Sequence, residues 1–169
     1  YRHSAAWLTG LREWSRAVWY LDRLIAACPD DRQAYTDRAL TYHHLGKEAE
    51  RDADLARAVD KGSLDPQVCY QHALACLKAG NRPGYQRVCA RLLQSLPVDP
   101  SQVEPGLANN VAMMCALGPD AVSDWKRPLA LIEHVPRRGA ARRVRSSVTS
   151  AVCSSGGAAI TFTTRSPTR

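Results

Sequence analysis

Three cysteines and one histidine in the middle of the chain have the residue types of a zinc site. Cys69, His72 and Cys76 are spaced at i, i+3 and i+7, so they would share one face of a helix, and Cys89 belongs to the following helix. Three thiolates and an imidazole are a common zinc ligand set. However, the chain has no CxxC turn that would present two sulfurs together, and all three cysteines fall at core positions. We therefore predict that they pack as small hydrophobic residues, with no cofactor; metal binding by these four residues is the less favoured alternative.

The motifs that catalysis would require are missing from the sequence. A kinase needs a glycine-rich loop, a catalytic-loop Asp and a metal-binding Asp, and none of these patterns occurs. Gly46-Lys47 is followed by Glu48, so it does not form a phosphate-binding loop, and there is no GxSxG or HExxH motif. The adjacent His43 and His44 would point about 100° apart on a helix and could not share a ligand. The sequence thus predicts a protein that is not an enzyme.

The elements that would position these side chains repeat along the chain with a period of 34 residues. Three alanines in register, Ala5, Ala39 and Ala73, mark a small position in each unit, and Gly46 and Gly80 are also 34 apart. Periodicity predicts helices over 2–10, 12–28, 32–45, 47–60, 66–79, 83–96, 105–117 and 128–135.

Helix start and stop signals agree with these bounds. Asp65-Pro66 places a carboxylate cap before a first-turn proline, and Asn81 precedes another helix start. Gly46 and Gly80 are natural left-handed stops for the helices before them. Each unit therefore reads as two amphipathic helices joined by a short turn.

These units resemble the tetratricopeptide repeat (TPR). The resemblance rests on Tyr35, Ala39, Tyr42 and Gly46 in a first helix, and on Leu55 and Ala58 in a second helix. It implies an all-α fold, a TPR-like α-solenoid of antiparallel helix pairs. The repeat domain would span 1–135 with a tail over 136–169. Its units would cover about 1–31, 32–65 and 66–99, with an atypical cap over 105–135.

A narrower resemblance comes from three phrases of the chain. The segments 19–27, 84–89 and 108–121 are similar to C-terminal repeat regions of large bacterial proteins, notably in planctomycetes. Such regions follow a serine/threonine kinase domain or a WD40 propeller. The resemblance, together with a first residue that is not Met, implies a fragment of a larger signalling or scaffold protein.

Periodicity also suggests which residues would line the concave face of such a solenoid. The expected peptide-groove residues are Gln33, Thr36, Leu40 and His43, then Gln67, Tyr70, Leu74 and Lys78. Family members that capture a C-terminal carboxylate use a clamp of Lys, Asn and Arg, and this face offers Lys78 only. A mixed apolar and polar groove suits a peptide or helix from a protein partner better.

Aromatic residues concentrate in the first two helices. Trp7, Trp14, Trp19 and Tyr20 are expected to supply an inter-helix core and a surface that a preceding domain would cover; a binding cage is the alternative.

The positive charge belongs to the end of the chain. Residues 137–169 hold seven Arg and no acidic residue, which accounts for the net charge of +7. We expect 136–169 to be a disordered Arg-rich tail, because its composition offers little apolar surface to bury. The alternative function is nucleic-acid binding through this tail, although no aromatic residue is interleaved with its arginines.

Composition also limits where the protein acts. No apolar run approaches the ~18 residues of a membrane span, so no membrane role is expected. Six scattered cysteines indicate a reducing compartment rather than a disulfide framework, which predicts a cytoplasmic protein.

Overall fold

The described part of the chain is all-helical, as predicted. The computed structural model describes residues 1–118, 120–133, 135, 147–148 and 150. The elements with described bounds are α1 (Arg2–Gly10), α2 (Trp14–Ala27), α3 (Arg32–His44), α4 (Glu48–Asp60), α5 (Pro66–Lys78), α6 (Arg82–Ser95), a short 3-10 helix (Pro100–Gln102), α7 (Pro105–Ala116) and α8 (Lys126–Glu133). Each predicted helix is present, and each end lies within two residues of its predicted position. No strand occurs among these residues.

The chain divides into two compact units, and the first is Tyr1–Leu96. Within it, each of the helices α1 to α5 packs against the next one along the chain. Turns of three residues join α1 to α2, α3 to α4 and α5 to α6, so the two helices of each pair run antiparallel.

The predicted helix punctuation is confirmed. Asp65 accepts hydrogen bonds from the backbone N–H groups of Gln67 and Val68 at 2.9 and 3.0 Å, which caps the start of α5. Gly46 and Gly80 follow the ends of α3 and α5 with φ of +70° and +67°, a conformation that costs a residue with a Cβ about 1–2 kcal/mol.

Small residues at equivalent positions allow the helices of the first unit to approach closely. Ala5, Ala39 and Ala73, the three alanines in the 34-residue register, are buried. Ala17 and Ala58, in the second helices of their pairs, are fully buried as well. Larger residues such as Leu21 fill the space around them, as close packing of a protein interior requires.

The second unit begins at Pro97. Here α7 packs against α8, and Val111, Met114, Leu131 and Ile132 are buried in its described part. The predicted tail, 136–169, lies outside the described residues apart from 147–148 and 150, and its disorder stays a prediction. None of the helices that the structure describes has the length and apolar character needed to cross a membrane.

Candidate functional site

An open groove on the first unit is formed by α3, α4 and α5. Its volume is about 300 Å³, which is at the lower end of the ~300–1,000 Å³ range of ligand-binding pockets. The lining residues are Gln33, Thr36, Ala39, Leu40, His43, Arg51, Leu55, Asp65, Gln67, Val68 and Gln71. Ala39, Leu55 and Val68 are buried and form an apolar floor, whereas Leu40 is 57% exposed. An exposed leucine beside an apolar floor provides an anchoring surface for another apolar side chain.

Two charged groups of the groove are already engaged within the protein. Arg51 is paired with Asp52, at 2.7 Å between Nη2 and Oδ1, and Asp65 caps α5. The amide of Gln33 donates to Asp37 at 2.8 Å. Gln67 and Gln71 are exposed, so their amides remain for hydrogen bonds to a ligand. The groove is therefore electrically balanced and suits an uncharged, partly apolar ligand.

Five of the eight groove residues expected from the sequence line this site, and three do not. Gln33, Thr36, Leu40 and His43 line it from α3, and Gln67 does so from α5. Leu74 and Lys78 share the helical face of Gln67 but lie about 10 and 16 Å further along the axis, at 1.5 Å per residue. Lys78 is instead 3.7 Å from a carboxylate oxygen of Glu48. Tyr70 is turned about 60° away from Gln67, at 100° per residue, and Gln71 lines the groove in its place.

The adjacent histidines diverge, as expected for neighbours on a helix. His43 lines the groove, whereas His44 stacks on Trp14 with 4.1 Å between ring centroids. The two histidines therefore serve different surfaces, and they do not form a shared ligand site.

A buried ion pair between α3 and α4 was missed by sequence reasoning. Arg38 on α3 donates to both carboxylate oxygens of Asp54 on α4, at 2.6 and 2.8 Å, and also to Asp22 on α2 at 2.6 Å. Asp54 is only 1% exposed. The hydrogen bonds to Asp54 raise the pKa of the Arg38 guanidinium above its ordinary value, although burial opposes the shift. The sequence signal was Asp54 itself, a carboxylate immediately before Leu55 on the buried side of α4.

The cysteines of the zinc hypothesis pack in the core of the first unit. Cys69, Cys76 and Cys89 are buried, and burial raises the pKa of the Cys69 thiol to about 11. The Sγ of Cys76 lies 3.6 Å from Nε2 of His72. Within the described part of the chain, no group of three or more His, Cys, Asp or Glu side chains is arranged to hold a metal ion. Neutral buried thiols behave as small hydrophobic groups, which fits the core interpretation.

The aromatic residues of α1 and α2 do not all enter the core. Trp14 and Tyr20 are partly buried, whereas Trp7 and Trp19 remain 67% and 50% exposed. Trp7 and Trp19 therefore belong to the surface part of the expectation, and the covering of that surface by a preceding domain stays a prediction.

In comparisons with known proteins, no family model, no curated protein and no solved structure matches the chain.

Proposed function

We propose that the chain is a non-catalytic protein-interaction scaffold built of TPR-like repeats, and that the groove between α3 and α5 binds a short segment of a protein partner. The observation that carries this proposal is the open groove with an apolar floor, an exposed Leu40 and exposed glutamine amides. A peptide segment supplies the matching chemistry, because it carries apolar side chains together with backbone donors and acceptors.

The solenoid arrangement is part of the proposal, and contacts between successive turns support it. Side chains of one helix pair reach the end of the neighbouring pair, about one repeat away in sequence. Lys61 pairs with Asp30 at 2.5 Å, and Arg91 donates to the carbonyl oxygen of Val59 at 2.7 Å. Contacts between each repeat and the next are what stabilise a solenoid.

Two further parts of the proposal concern context. We propose a cytoplasmic location, and the free thiols of Cys28, Cys69, Cys76 and Cys89 agree with a reducing compartment. The resemblance to repeat regions of bacterial kinase-type and propeller proteins makes a module of a larger signalling protein the proposed setting. The intact mass of the native polypeptide tests this setting, and a mass close to the 18.6 kDa of this chain would contradict it.

A displayed library of random peptides tests the groove. Peptides enriched on the full chain are synthesised, and their affinities are measured by fluorescence anisotropy. Leu40→Glu places a charge beside the apolar floor, and we expect it to weaken binding at least tenfold. Val98→Glu is the matched control, because Val98 is 91% exposed and lies outside the groove.

Failure of the library to yield any binding peptide would contradict the proposal. So would peptides whose affinities respond equally to Leu40→Glu and to Val98→Glu, because they would bind elsewhere. Binding of single-stranded nucleic acid that disappears when 136–169 are deleted would instead favour the alternative function through the tail.

A further inference from the structure

A second cavity, of about 370 Å³, opens on the surface of α1 and α2. It is lined by His3, Ser4, Trp7, Leu8, Arg16 and Tyr20. Apart from Leu8, every lining residue carries an aromatic ring, a basic group or a hydroxyl, and none carries a carboxylate. Its walls therefore offer flat rings and hydrogen-bond donors to a ligand.

The aromatic surface continues beyond this cavity along α2. The ring of Tyr20 meets the ring of Trp19 edge-on, with 4.9 Å between centroids. The guanidinium carbon of Arg23 lies 4.0 Å from the ring centroid of Trp19. We call this continuous surface the aromatic–basic face; its members are His3, Trp7, Arg16, Trp19, Tyr20 and Arg23.

The periodicity of α2 explains why these residues share a surface. Arg16, Tyr20 and Arg23 are spaced at i, i+4 and i+7, so they follow one side of the helix. Ala17 and Leu21, one residue out of step with this stripe, are buried. The stripe therefore runs beside the buried side of α2 and reaches solvent through Arg16 and Arg23, and Trp7, which lines the same cavity, extends it onto α1.

The charge of this face is positive and largely uncompensated. Residues 1–27 contain two acidic residues, Glu13 and Asp22, and Asp22 is engaged by Arg38 at 2.6 Å. Arg16 and Arg23 form no ion pair among the described residues. Glu13 lies in the turn before α2 and does not line the cavity.

We propose that the aromatic–basic face binds single-stranded nucleic acid. Aromatic rings stack on nucleobases and arginines attract phosphates, and a polynucleotide carries both groups in alternation. An acidic peptide would match the charge but would not use the exposed aromatic surface of Trp7 and Trp19. Binding of single strands favours aromatic rings interleaved with arginines. The aromatic–basic face has this arrangement, whereas the Arg-rich tail does not.

Tryptophan fluorescence of the full chain is the direct test. A 20-nucleotide oligo(dT) and a 20-nucleotide oligo(U) are titrated separately, and we expect both to quench tryptophan emission in a saturable way, because stacked bases contact Trp7 and Trp19. Heparin and poly-glutamate carry negative charge without nucleobases, so they should leave the emission unchanged even if they bind the tail. Of the other two tryptophans, Trp14 is partly buried and Trp125 is buried, so a bound base would reach them less readily.

Substitutions locate the binding surface. Trp7→Leu and Trp19→Leu should each weaken oligonucleotide binding roughly 5- to 150-fold, the range for losing one stacked base. The double variant Arg16→Gln/Arg23→Gln should reduce the slope of log affinity against log salt by about 1.4, at ~0.7 per phosphate contact on a single strand. Arg82→Gln is the matched control for one arginine, because Arg82 is exposed at the start of α6 and outside the face; it should shift the slope little.

Three results would each overturn the proposal. The first is an absence of saturable quenching. The second is oligonucleotide affinity that is unchanged by both tryptophan substitutions and by the arginine pair, since binding would then reside in the tail. The third is equal quenching by poly-glutamate, which would make the face a docking surface for an acidic protein. Because none of these variants touches the groove between α3 and α5, failure here leaves the peptide-binding test unaffected.

Discussion

Removal of the Arg38 guanidinium should destabilise the first unit more than any exposed ion pair can. The variant Arg38→Met keeps most of the side-chain stem but leaves Asp54, 1% exposed, without the partner that donates to both of its oxygens. Breaking a buried pair from one side costs about 3–5 kcal/mol. A unit of about 96 residues has a total stability of roughly 5–14 kcal/mol, at ~0.05–0.15 kcal/mol per residue. The predicted loss is therefore about a fifth or more of the free energy of unfolding.

Urea unfolding of the full chain, followed by circular dichroism, measures this loss. With a slope of about 2 kcal/mol per M, the midpoint should fall by roughly 2 M. Arg57→Gln is the matched control, because Arg57 reaches the same carboxylate at 3.2 Å but its side chain is 58% exposed. An exposed pair contributes at most about 1 kcal/mol.

A double variant separates the buried charge from the lost contact. Replacing both partners, as Arg38→Met/Asp54→Leu, removes the buried carboxylate that Arg38→Met leaves with only the exposed Arg57, so the double variant should be more stable than Arg38→Met alone. If Arg38→Met costs no more than Arg57→Gln, or if the double variant is less stable than the single, the reasoning about burial is refuted.

Two further substitutions test local packing and the pH dependence of stability. Gly84→Ala should destabilise by about 1–3 kcal/mol in urea unfolding, because a Cβ there would lie 2.6 Å from Nδ2 of Asn81, the N-cap of α6, and 3.0 Å from Sγ of Cys76. Gly10→Ala is its control and should be close to neutral, because a Cβ there meets nothing within 4 Å. Burial lowers the pKa of His72 below its ordinary 6.5, so the unfolded chain binds a proton more readily than the folded chain. The free energy of unfolding should therefore fall as pH drops through 6.5 towards the folded-state pKa. His72→Gln should flatten that part of a plot of urea midpoint against pH. A plot that keeps its full slope in His72→Gln would assign the dependence to another group.

The sequence predicted the helices well because their signals are local. Apolar periodicity and caps such as Asp65 act within a few residues, as do the glycines Gly46 and Gly80, and each helix end lies within two residues of its predicted position. The groove was only half predictable, because its α3 side follows from the helical period, whereas its extent along α5 depends on how the two helices lie against each other. Leu74 and Lys78 have the right angular position but lie too far along the axis.

The Arg38–Asp54 pair reinforces the orientation of α3 that the helical period predicted. Apolar residues lie on several sides of this helix: Ala34 and Ala39 are buried, but so is the polar Thr41, and Leu40 is exposed. Burial of apolar residues alone therefore defines the rotation of α3 about its axis only loosely. Arg38 narrows this rotation, because its guanidinium contacts Asp22 on α2 and Asp54 on α4 at the same time. The same rotation presents Gln33, Thr36, Leu40 and His43 to the groove, so an ion pair outside the groove supports the face that we propose a partner binds.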